Sequence, residues 1–390
     1  MTRVLVVIPA YVPDFSKGGS VTGCRSFVSV LRQAGIHSAI ASLDTLHDGV
    51  RERDVDGVGV RYFPQLNSLD GLSKSGWGLS PAFCLWLWRN CKSFDLVYFR
   101  SLWNFVSLAG PVICRLRGVK FAFCASGKLS GHALQTSSRR KSIVAKMFGR
   151  LFSKAAFVHY ATQQEADSQQ LDAFNDVPAL ILPPKVASSE ADTAPSDEQR
   201  VLIYTVSRID EIKNLEYVIS ELPPFDHGTG YHYAHFGGGK GEALKDRLEH
   251  ALAERGARVF QGTEGVLERA AGASFCGHQP IDVVNAQATS PSIFLLMSHS
   301  EGLSNAALEA MARGSDVVVS VGSNMREFAE ASILTEIKPE PGVLNQLLKE
   351  RLEAPAAVAD QGVVAAEFAR NELSGQSLAK RLRHQLERLL

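Results

Sequence analysis

The stretch "SHSEGLSNAALEAMARGSDVVVS", residues 298–320, decides the fold class of this chain. The apolar run 293–297 leads into it and predicts a strand, and the run 317–320 at its end predicts another. Between them, small and apolar residues at helical spacing predict a helix with one buried face. A strand, a loop, a helix and a second strand in this order are typical of a parallel α/β sheet.

The same stretch carries chemistry in its loop. Ser304 or Asn305 can cap the helix, which leaves the backbone N–H groups from Gly302 to Asn305 free to bind an anion such as a diphosphate. Glu301 repels an anion and suits neutral hydroxyl groups, and Glu309 can reach a second hydroxyl-bearing group. A nucleotide-sugar has that shape. The alternative is a loop acid that stabilises the helix dipole and a solvated acid on the helix.

The rest of the chain repeats the alternation of strands and helices, and the polar stretch 183–200 interrupts it. We therefore predict two Rossmann-like domains, with the binding cleft between them. The boundaries are 1–183 for the N-terminal acceptor-side domain, 184–199 for a linker and 200–370 for the C-terminal donor-binding domain. For residues 371–390 we predict a C-terminal helix that packs back on the N-terminal domain. The predicted strands are 4–8, 39–41, 96–99, 121–124, 157–160, 202–206, 231–236, 274–276, 293–297 and 317–320.

Composition excludes several classes of protein. With 41 basic and 41 acidic residues in 390, net charge gives no argument for a nucleic-acid partner. The six cysteines show no CxxC pair and no metal-type spacing, which favours a reducing, cytoplasmic setting. Pro9 ends the first apolar run too early for a signal peptide, and no apolar run approaches the roughly 20 residues of a membrane span. We expect a soluble or peripheral protein.

Two other segments suit phosphate chemistry. Arg208 and Lys213 follow the strand 202–206, where two cations can neutralise a diphosphate leaving group, although either alone is more typical of a surface cation. Gly18 and Gly19 precede a predicted helix and permit close approach of backbone to phosphate. The stretch "HFGGGKGEA", 235–243, fits neither the dinucleotide fingerprint nor the P-loop and predicts a tight strand-to-helix turn.

These segments, in this order, resemble the retaining glycosyltransferases of family 4. That family has the GT-B fold, in which two Rossmann-like domains with parallel sheets face each other across a cleft. Its E-x7-E signature is matched by Glu301 and Glu309, and its R-x4-K pair by Arg208 and Lys213. Ser315 and Asp316 stand near the usual proline of the family. The likeness is specific in the C-terminal half and thinner in the N-terminal half.

The resemblance implies roles for individual residues. Arg208, Lys213 and Glu301 would be catalytic, the two cations holding the donor diphosphate and Glu301 meeting the transferred sugar. Donor-binding residues would include Glu309 at the ribose, backbone around the sugar and diphosphate, and a cradle for the base in "FCGHQPI", 275–281. The implied donor-binding set is Gly18, Gly19, Gly277, His278, Gly302, Leu303, Ser304, Asn305 and Glu309.

The acceptor side departs from the family pattern. Arg100 stands in "RSLW" where many relatives have "HGLW", and Ser126 replaces a family histidine. His132 is a nearby substitute, although a lone histidine is more often structural. These three residues are the acceptor-side candidates.

The implied function is transfer of a hexose, with retention, from a UDP- or GDP-linked donor to a hydroxyl of a glycan or lipid-linked acceptor (EC 2.4). Bacterial surface-polysaccharide assembly, whether lipopolysaccharide, capsule or exopolysaccharide, is the expected setting. No metal or other cofactor is expected, and "DVD" at 54–56 is interpreted as a surface turn. The alternatives are a GT-B sugar-nucleotide epimerase and a non-catalytic nucleotide-sugar-binding protein.

Residues 137–154, "SSRRKSIVAKMFGRLFSK", contain six basic residues and no acid. One interpretation is an ordinary amphipathic helix with its cations in water. The other is a basic face that lies on an anionic membrane, on the cytoplasmic side, near a lipid-linked acceptor.

Overall fold

Two α/β units make up the chain: Met1–Lys185 with Gly375–Leu390, and Val186–Ser374. The structure is a computed structural model that describes most of both. The described residues are 2–12, 18–44, 49–66, 78–129, 144, 147–186, 200–225, 230–239, 241–267, 271–289 and 291–390.

The first unit contains an eight-stranded sheet in the order β3-β4-β2-β1-β5-β6-β7-β8. Every pair of neighbours is parallel except β3 and β4, which are antiparallel. The strands are β1 (Arg3–Ile8), β2 (His37–Asp44), β3 (Arg51–Val55), β4 (Val58–Pro64), β5 (Leu96–Phe99), β6 (Lys120–Cys124), β7 (Val158–Tyr160) and β8 (Ala179–Ile181).

The β3–β4 hairpin is an addition to the parallel arrangement that the sequence pattern predicts. Its turn consists of Asp56 and Gly57, which both have positive φ, at 55° and 76°. An Asp-Gly pair favours this kind of two-residue hairpin turn. Asp54 accepts a hydrogen bond from the Gly57 N–H at 2.8 Å, and Asp56 binds Arg25 at 2.7 Å. The "DVD" stretch therefore covers the end of β3 and its turn.

The second unit contains a seven-stranded sheet in the order β11-β12-β10-β9-β13-β14-β15, with all neighbours parallel. Its central strands are buried on both faces, which is why β9 and β13 appear as mostly apolar runs. The strands are β9 (Val201–Val206), β10 (Tyr231–Phe236), β11 (Val259–Gln261), β12 (Gly272–Gly277), β13 (Ser292–Leu296), β14 (Asp316–Ser320) and β15 (Thr335–Ile337).

Helices cover both faces of each sheet and seal four apolar clusters. They are α1 (Gly18–Gln33), α2 (Pro81–Asn90), α3 (Phe105–Arg117), α4 (Gln163–Asp167), α5 (Leu215–Glu221), α6 (Glu242–Glu254), α7 (Glu264–Leu267), α8 (Ile281–Gln287), α9 (Asn305–Arg313), α10 (Arg326–Glu330), α11 (Val343–Glu353), α12 (Pro355–Glu372) and α13 (Gly375–Leu389).

The last helix, α13, packs on α1 of the first unit. Leu378, Leu382 and Leu386 are buried in the same apolar cluster as Val28 and Leu31 of α1. Gln385 also exchanges hydrogen bonds with the backbone of β8 at 3.0 and 3.1 Å. The chain thus returns to its first unit at its C-terminal end. No helix within the described residues combines the length and apolar character needed to cross a membrane.

Candidate functional site

The C-terminal ends of β9 and β13 place two predicted site loops side by side. The two strands pair directly and in parallel, so the loops that follow them leave from the same edge of the sheet. A backbone hydrogen bond of 2.9 Å from His299 to Ile212 joins these loops. The Arg208–Lys213 segment and the Glu301 segment are therefore held together by main-chain geometry.

Lys213 donates a hydrogen bond to the Glu301 carboxylate and forms an ion pair with it. Both side chains are mostly buried, at 16% and 18% exposure. The Ser298 hydroxyl donates to the same carboxylate oxygen at 2.8 Å. Neutral hydroxyl groups stay the predicted ligand partners of Glu301. Within the protein, its carboxylate also contacts the Lys213 ammonium group, which the sequence pattern did not predict.

The segment after a third strand, β14, holds the Glu301 loop in place. The Glu301 N–H donates to the Gly322 carbonyl at 2.9 Å, and the Asn324 side chain donates to the Glu301 carbonyl at 2.6 Å. A Cβ at Gly322 would lie 2.5 Å from the His299 carbonyl, so only glycine fits there. Sequence reasoning missed Gly322 and Asn324, for which "VGSN" after β14 was the available signal.

Arg208 is far more exposed than Lys213. Its side chain is 74% exposed, and its nearest carboxylate is Asp210 at 3.7 Å. Asp210 mainly caps the short 3-10 turn Glu211–Lys213, where it accepts the Ile212 N–H at 3.2 Å. The site therefore contains one cation held by a carboxylate and one that extends into solvent.

The glycines of "HFGGGKGEA" support the Arg208 loop. As predicted, they form a strand-to-helix turn, between the end of β10 and the start of α6 at Glu242. A Cβ at Gly237 would lie 1.8 Å from the Ser207 carbonyl oxygen, and one at Gly239 would lie 2.7 Å from the Ile209 carbonyl oxygen. These contacts require glycine because the backbone on either side of Arg208 lies directly against the turn.

Helix α9 begins at Asn305, four residues after Glu301. The Ser304 hydroxyl caps the helix by accepting the Ala307 N–H at 3.3 Å. Within the described part of the chain, no acceptor is found for the backbone N–H groups of Gly302, Leu303 and Ser304. Such a group of N–H donors at a helix N-terminus favours an anion.

Glu309 lies farther along α9 and is partly buried. Burial raises the pKa of its carboxyl, and the charge of Arg313 opposes that shift. Arg313 is only 5% exposed and donates to the Asn285 side chain at 2.9 Å. Glu309 therefore has a desolvated carboxyl with a cation one helical turn away.

Gly277 ends β12 and His278 follows it, at the same edge of the sheet. Gly277 has a positive φ of 67°, and its carbonyl accepts the Gly237 N–H at 2.7 Å. His278 is exposed. Because β10 separates β12 from β9, these residues lie farther along the edge than Lys213.

In the first unit, Gly18 and Gly19 begin α1, and Arg100 and Ser126 follow the neighbouring strands β5 and β6. The Arg100 guanidinium lies over the Phe27 ring, 5.9 Å from its centroid. One of its nitrogens would lie 2.9 Å from a Cβ at Gly23, so the guanidinium packs closely against this turn of α1. His132 lies outside the described residues, as do residues 137–143, 145 and 146 of the basic segment.

Cys124 links the two acceptor-side candidates. Its sulfur lies 3.0 Å from the Ser126 hydroxyl, and Ser126 has a positive φ of 44°. Burial alone would raise the pKa of the Cys124 thiol, but Arg100 and His159 together bring it well below its usual value. Arg100 and Ser126 are thus brought together around one buried thiol.

Glu165 is a buried acid that sequence reasoning missed. Its carboxylate accepts backbone N–H groups from Gly127 and from Ala161, the latter at 2.7 Å. It therefore ties the turn after Ser126 to the end of β7. Thr162 caps α4 by accepting the Glu165 N–H at 3.1 Å, so the T-x-x-E pattern of a helix start was the signal.

A surface cavity of about 440 Å³ lies elsewhere in the first unit. Glu52, Asp54, Arg61 and Trp86 are among its lining residues. None of the predicted site residues lines it, and Arg61 pairs with Glu52 and covers the Trp86 ring. We interpret it as a groove beside the β3–β4 hairpin.

No protein-family model matches the sequence, and a search of curated proteins finds no match. Solved structures do match it over their whole length. Sucrose-phosphate synthase from Thermosynechococcus elongatus is 15% identical with a TM-score of 0.70, covering 100% of this chain and 99% of that one. HepE from Anabaena in complex with UDP-glucose is 15% identical with a TM-score of 0.68, and trehalose-6-phosphate synthase OtsA is 12% identical with a TM-score of 0.66, each covering 100% of both chains. Identities this low show the fold alone, and they confirm that this chain has the GT-B fold.

Proposed function

We propose that this chain is a retaining glycosyltransferase that uses a nucleotide-sugar donor, a hexosyltransferase-type enzyme related to family 4. One observation carries the proposal. The Lys213–Glu301 pair, the exposed Arg208 and the N-terminus of α9 share one edge of the second sheet. That edge combines positive charge for a diphosphate with a carboxylate for sugar hydroxyls.

The positive groups suit a departing diphosphate. Arg208 extends into solvent, and the N–H groups of Gly302 to Ser304 have no acceptor among the described residues. Cations and fixed N–H donors that face a leaving group stabilise the charge that it gains in the transition state. We propose that these groups supply most of the rate and that no metal ion is required.

The Lys213–Glu301 pair gives the site two states. Without donor, each charge satisfies the other, which limits the cost of keeping them mostly buried. When a diphosphate binds, Lys213 exchanges the carboxylate for phosphate oxygens. Glu301 is then free to accept hydrogen bonds from hydroxyls of the transferred sugar, while Ser298 keeps it in position.

We assign the remaining donor contacts along the same edge. Glu309 would accept hydrogen bonds from the ribose hydroxyls, with the charge of Arg313 opposing the rise in its pKa that burial causes. Gly277 and His278 would lie beside the base. The acceptor is a hydroxyl of a glycan or of a lipid-linked sugar in surface-polysaccharide assembly, with Arg100 and Ser126 as its candidate contacts on the first unit.

Similar structures that were solved with UDP-sugars support the choice of donor. HepE was solved with UDP-glucose, and an E. coli structure related to trehalose-6-phosphate was solved with UDP-2-fluoro glucose. Another similar structure comes from work on glycosyltransfer with retention by trehalose-6-phosphate synthase. A UDP-sugar is therefore the first donor to test, and a GDP-sugar the second.

The first test is stabilisation of the folded protein by UDP-glucose, UDP, GDP-mannose and GDP. A ligand at 100 times its dissociation constant adds about 2.7 kcal/mol to the free energy of unfolding, a readily measured shift. If ligand stabilises both the Lys213→Ala and the Arg208→Ala variants as much as the parent, the assigned site is contradicted. No stabilisation by any of the four would contradict nucleotide-sugar binding.

The second test is the reaction itself. With a glycan acceptor, UDP release should require that acceptor, persist in a chelator and give a product that keeps the donor's anomeric configuration by NMR. An epimerase would change the sugar without an acceptor. Inversion of the product would contradict the proposed mechanism.

A further inference from the structure

A buried arginine, Arg313, ends helix α9 of the second unit. It is only 5% exposed, and an arginine is rarely this buried unless its charge is paired with an acid. Within the described part of the chain, no carboxylate forms an ion pair with Arg313, and its Nε has no hydrogen-bond partner. The hydrogen bonds and ring contact that hold its guanidinium therefore come from neutral groups.

These neutral groups belong to a neighbouring helix and to the sheet. Nη1 of Arg313 donates a hydrogen bond to the Asn285 side chain on α8 at 2.9 Å. The guanidinium also lies over the Tyr204 ring of β9, 5.8 Å from its centroid, and Nη2 lies 3.4 Å from the Tyr204 hydroxyl. Ser315 fixes that hydroxyl at 2.7 Å, and both Tyr204 and Ser315 are fully buried. Arg313 is thus fixed against the sheet on one side and joined to α8 on the other.

Helix α8 continues directly from the base segment, residues 275–281. Gly277 ends β12 and α8 begins at Ile281, so only residues 278–280 lie between strand and helix. The Gln279 side chain donates to the Cys276 carbonyl at 2.6 Å, which ties this short connection back to the strand. A displacement of α8 would therefore also displace the base segment.

Helix α9 carries Glu309 one turn before Arg313. The two side chains interact, because the charge of Arg313 opposes the rise in the Glu309 pKa that burial causes. Leu308 of α9 and Val284 of α8 are buried in one apolar cluster. Apolar packing is non-directional, so it holds the two helices together without fixing how one is set along the other. The hydrogen bond from Arg313 to Asn285 is directional and fixes that register.

We propose that Arg313 is a positioning residue for nucleoside recognition, which holds α8 to α9 and so sets the spacing between the base segment and the Glu309 carboxylate. The inference rests on the proposed function, in which these two groups bind the base and the ribose of one donor. Arg313 itself is too buried to be a donor contact. It acts through Asn285 on the base side and through Glu309 on the ribose side, and it favours a ligand that keeps both ribose hydroxyls.

The test compares the binding of UDP with that of 2′,3′-dideoxy-UDP, which lacks both ribose hydroxyls, by calorimetric titration. The parent should bind the dideoxy nucleotide roughly tenfold or more weakly, because hydrogen bonds to a charged carboxylate are lost. Arg313→Met and Asn285→Ala should each reduce that ratio to less than about threefold, because Glu309 no longer lies where the hydroxyls bind. A merely structural loss weakens both nucleotides equally and leaves the ratio unchanged. If the parent prefers GDP, then GDP and its dideoxy analogue are the probes.

Arg255→Met is the matched control. Arg255 also stands at the C-terminal end of a helix of the second unit, donates to a backbone carbonyl and has an Nε without a hydrogen-bond partner among the described residues. This variant should keep the ratio of the parent. Circular dichroism and unfolding curves show whether each variant remains folded, and Asn285→Ala decides the outcome if Arg313→Met does not fold.

Several results would overturn the positioning role. They are an unchanged ratio in both variants, an equal fall in the Arg255→Met control, and a fall in Arg313→Met with none in Asn285→Ala, since α8 would then take no part. A ratio near one in the parent would also overturn it, because Glu309 would not bind the ribose. A parent that binds no nucleoside diphosphate would contradict the proposed function itself, and this inference with it.

Discussion

Lys213 and Glu301 form an ion pair although 88 residues separate them in the chain. The contact depends on the parallel pairing of β9 with β13 and on the backbone hydrogen bond from His299 to Ile212. Both side chains are mostly buried, so neither charge is fully compensated by water. The two residues should therefore affect folding as a unit in the absence of ligand.

The free energy of unfolding should fall less when both partners are replaced than the sum of the two single losses predicts. Lys213→Met leaves the Glu301 carboxylate mostly buried without its cation, and Glu301→Gln leaves the ammonium without its anion. Each should lower the free energy of unfolding by about 1–3 kcal/mol. The double variant should recover part of that loss, with a coupling of about 1 kcal/mol or more. Urea unfolding of the parent, the two single variants and the double variant measures this coupling. Strictly additive losses would contradict the pairing.

Arg208→Ala should leave stability unchanged and lower activity. The side chain is 74% exposed and its nearest carboxylate is 3.7 Å away, so unfolding should shift by less than about 0.5 kcal/mol. Turnover should fall roughly 10²-fold, as loss of a transition-state charge partner does. Arg247→Ala is the control, since Arg247 pairs with Glu211 and Glu216 at the protein surface nearby. Equal activity in both variants would remove Arg208 from the site.

Glu309→Gln should stabilise the protein and weaken its binding of the donor. Burial raises the pKa of this carboxyl, so the folded state favours its protonated form. The stabilisation that results from this raised pKa is present below the pKa of the unfolded state. It is lost as pH rises through the pKa of the folded state. The glutamine variant, which cannot ionise, should therefore be more stable than the parent at pH 7 and equal to it near pH 4. Unfolding at both pH values and nucleotide affinity at pH 7 test the two effects; a variant less stable at pH 7 would contradict the first.

Strand positions were predictable where burial on both sheet faces gives a continuous apolar run, as in β5 and β13. The short edge strands β8, β11 and β15 have three residues each, too few for an apolar run to stand out. The β3–β4 hairpin had a readable signal in Asp56-Gly57, but its strands are polar and lie at the edge of the sheet.

The candidate site residues could be chosen from the sequence as residue types at fixed spacing, but their contacts in the fold could not be predicted. Spacing along the chain places Glu301 in a loop and Lys213 in another, and only strand order brings the two loops together. The same limit applies to Glu165, whose two backbone donors belong to different loops. Contacts between segments far apart in sequence depend on topology, which local patterns do not encode.

His235 should make the protein sensitive to acid. It is fully buried on β10 with the Thr205 hydroxyl 2.8 Å from one ring nitrogen, and burial lowers its pKa to about 4. Its contribution to stability is present above the unfolded pKa of about 6.5 and is lost as pH falls towards 4. Relative to His235→Gln, the parent should lose up to roughly 3 kcal/mol over that range. An unchanged difference between the two proteins from pH 7 to pH 4 would contradict the assignment.

Gly237→Ala should damage the Arg208 loop, whereas Gly238→Ala should not. Gly237 has a φ of 139°, and an added Cβ would lie 1.8 Å from the Ser207 carbonyl, so the backbone beside Arg208 must move. At Gly238 an added Cβ meets nothing within 4 Å and φ is not in the left-handed region. The first variant should lower the free energy of unfolding by several kcal/mol, roughly the range of severe backbone strain and overpacking, and should reduce donor affinity. The second should lie within about 1 kcal/mol of the parent and bind the donor normally. Unfolding curves and nucleotide titration of the pair decide it: equal behaviour of the two alanine variants would show that the glycine turn does not support the loop that carries Arg208.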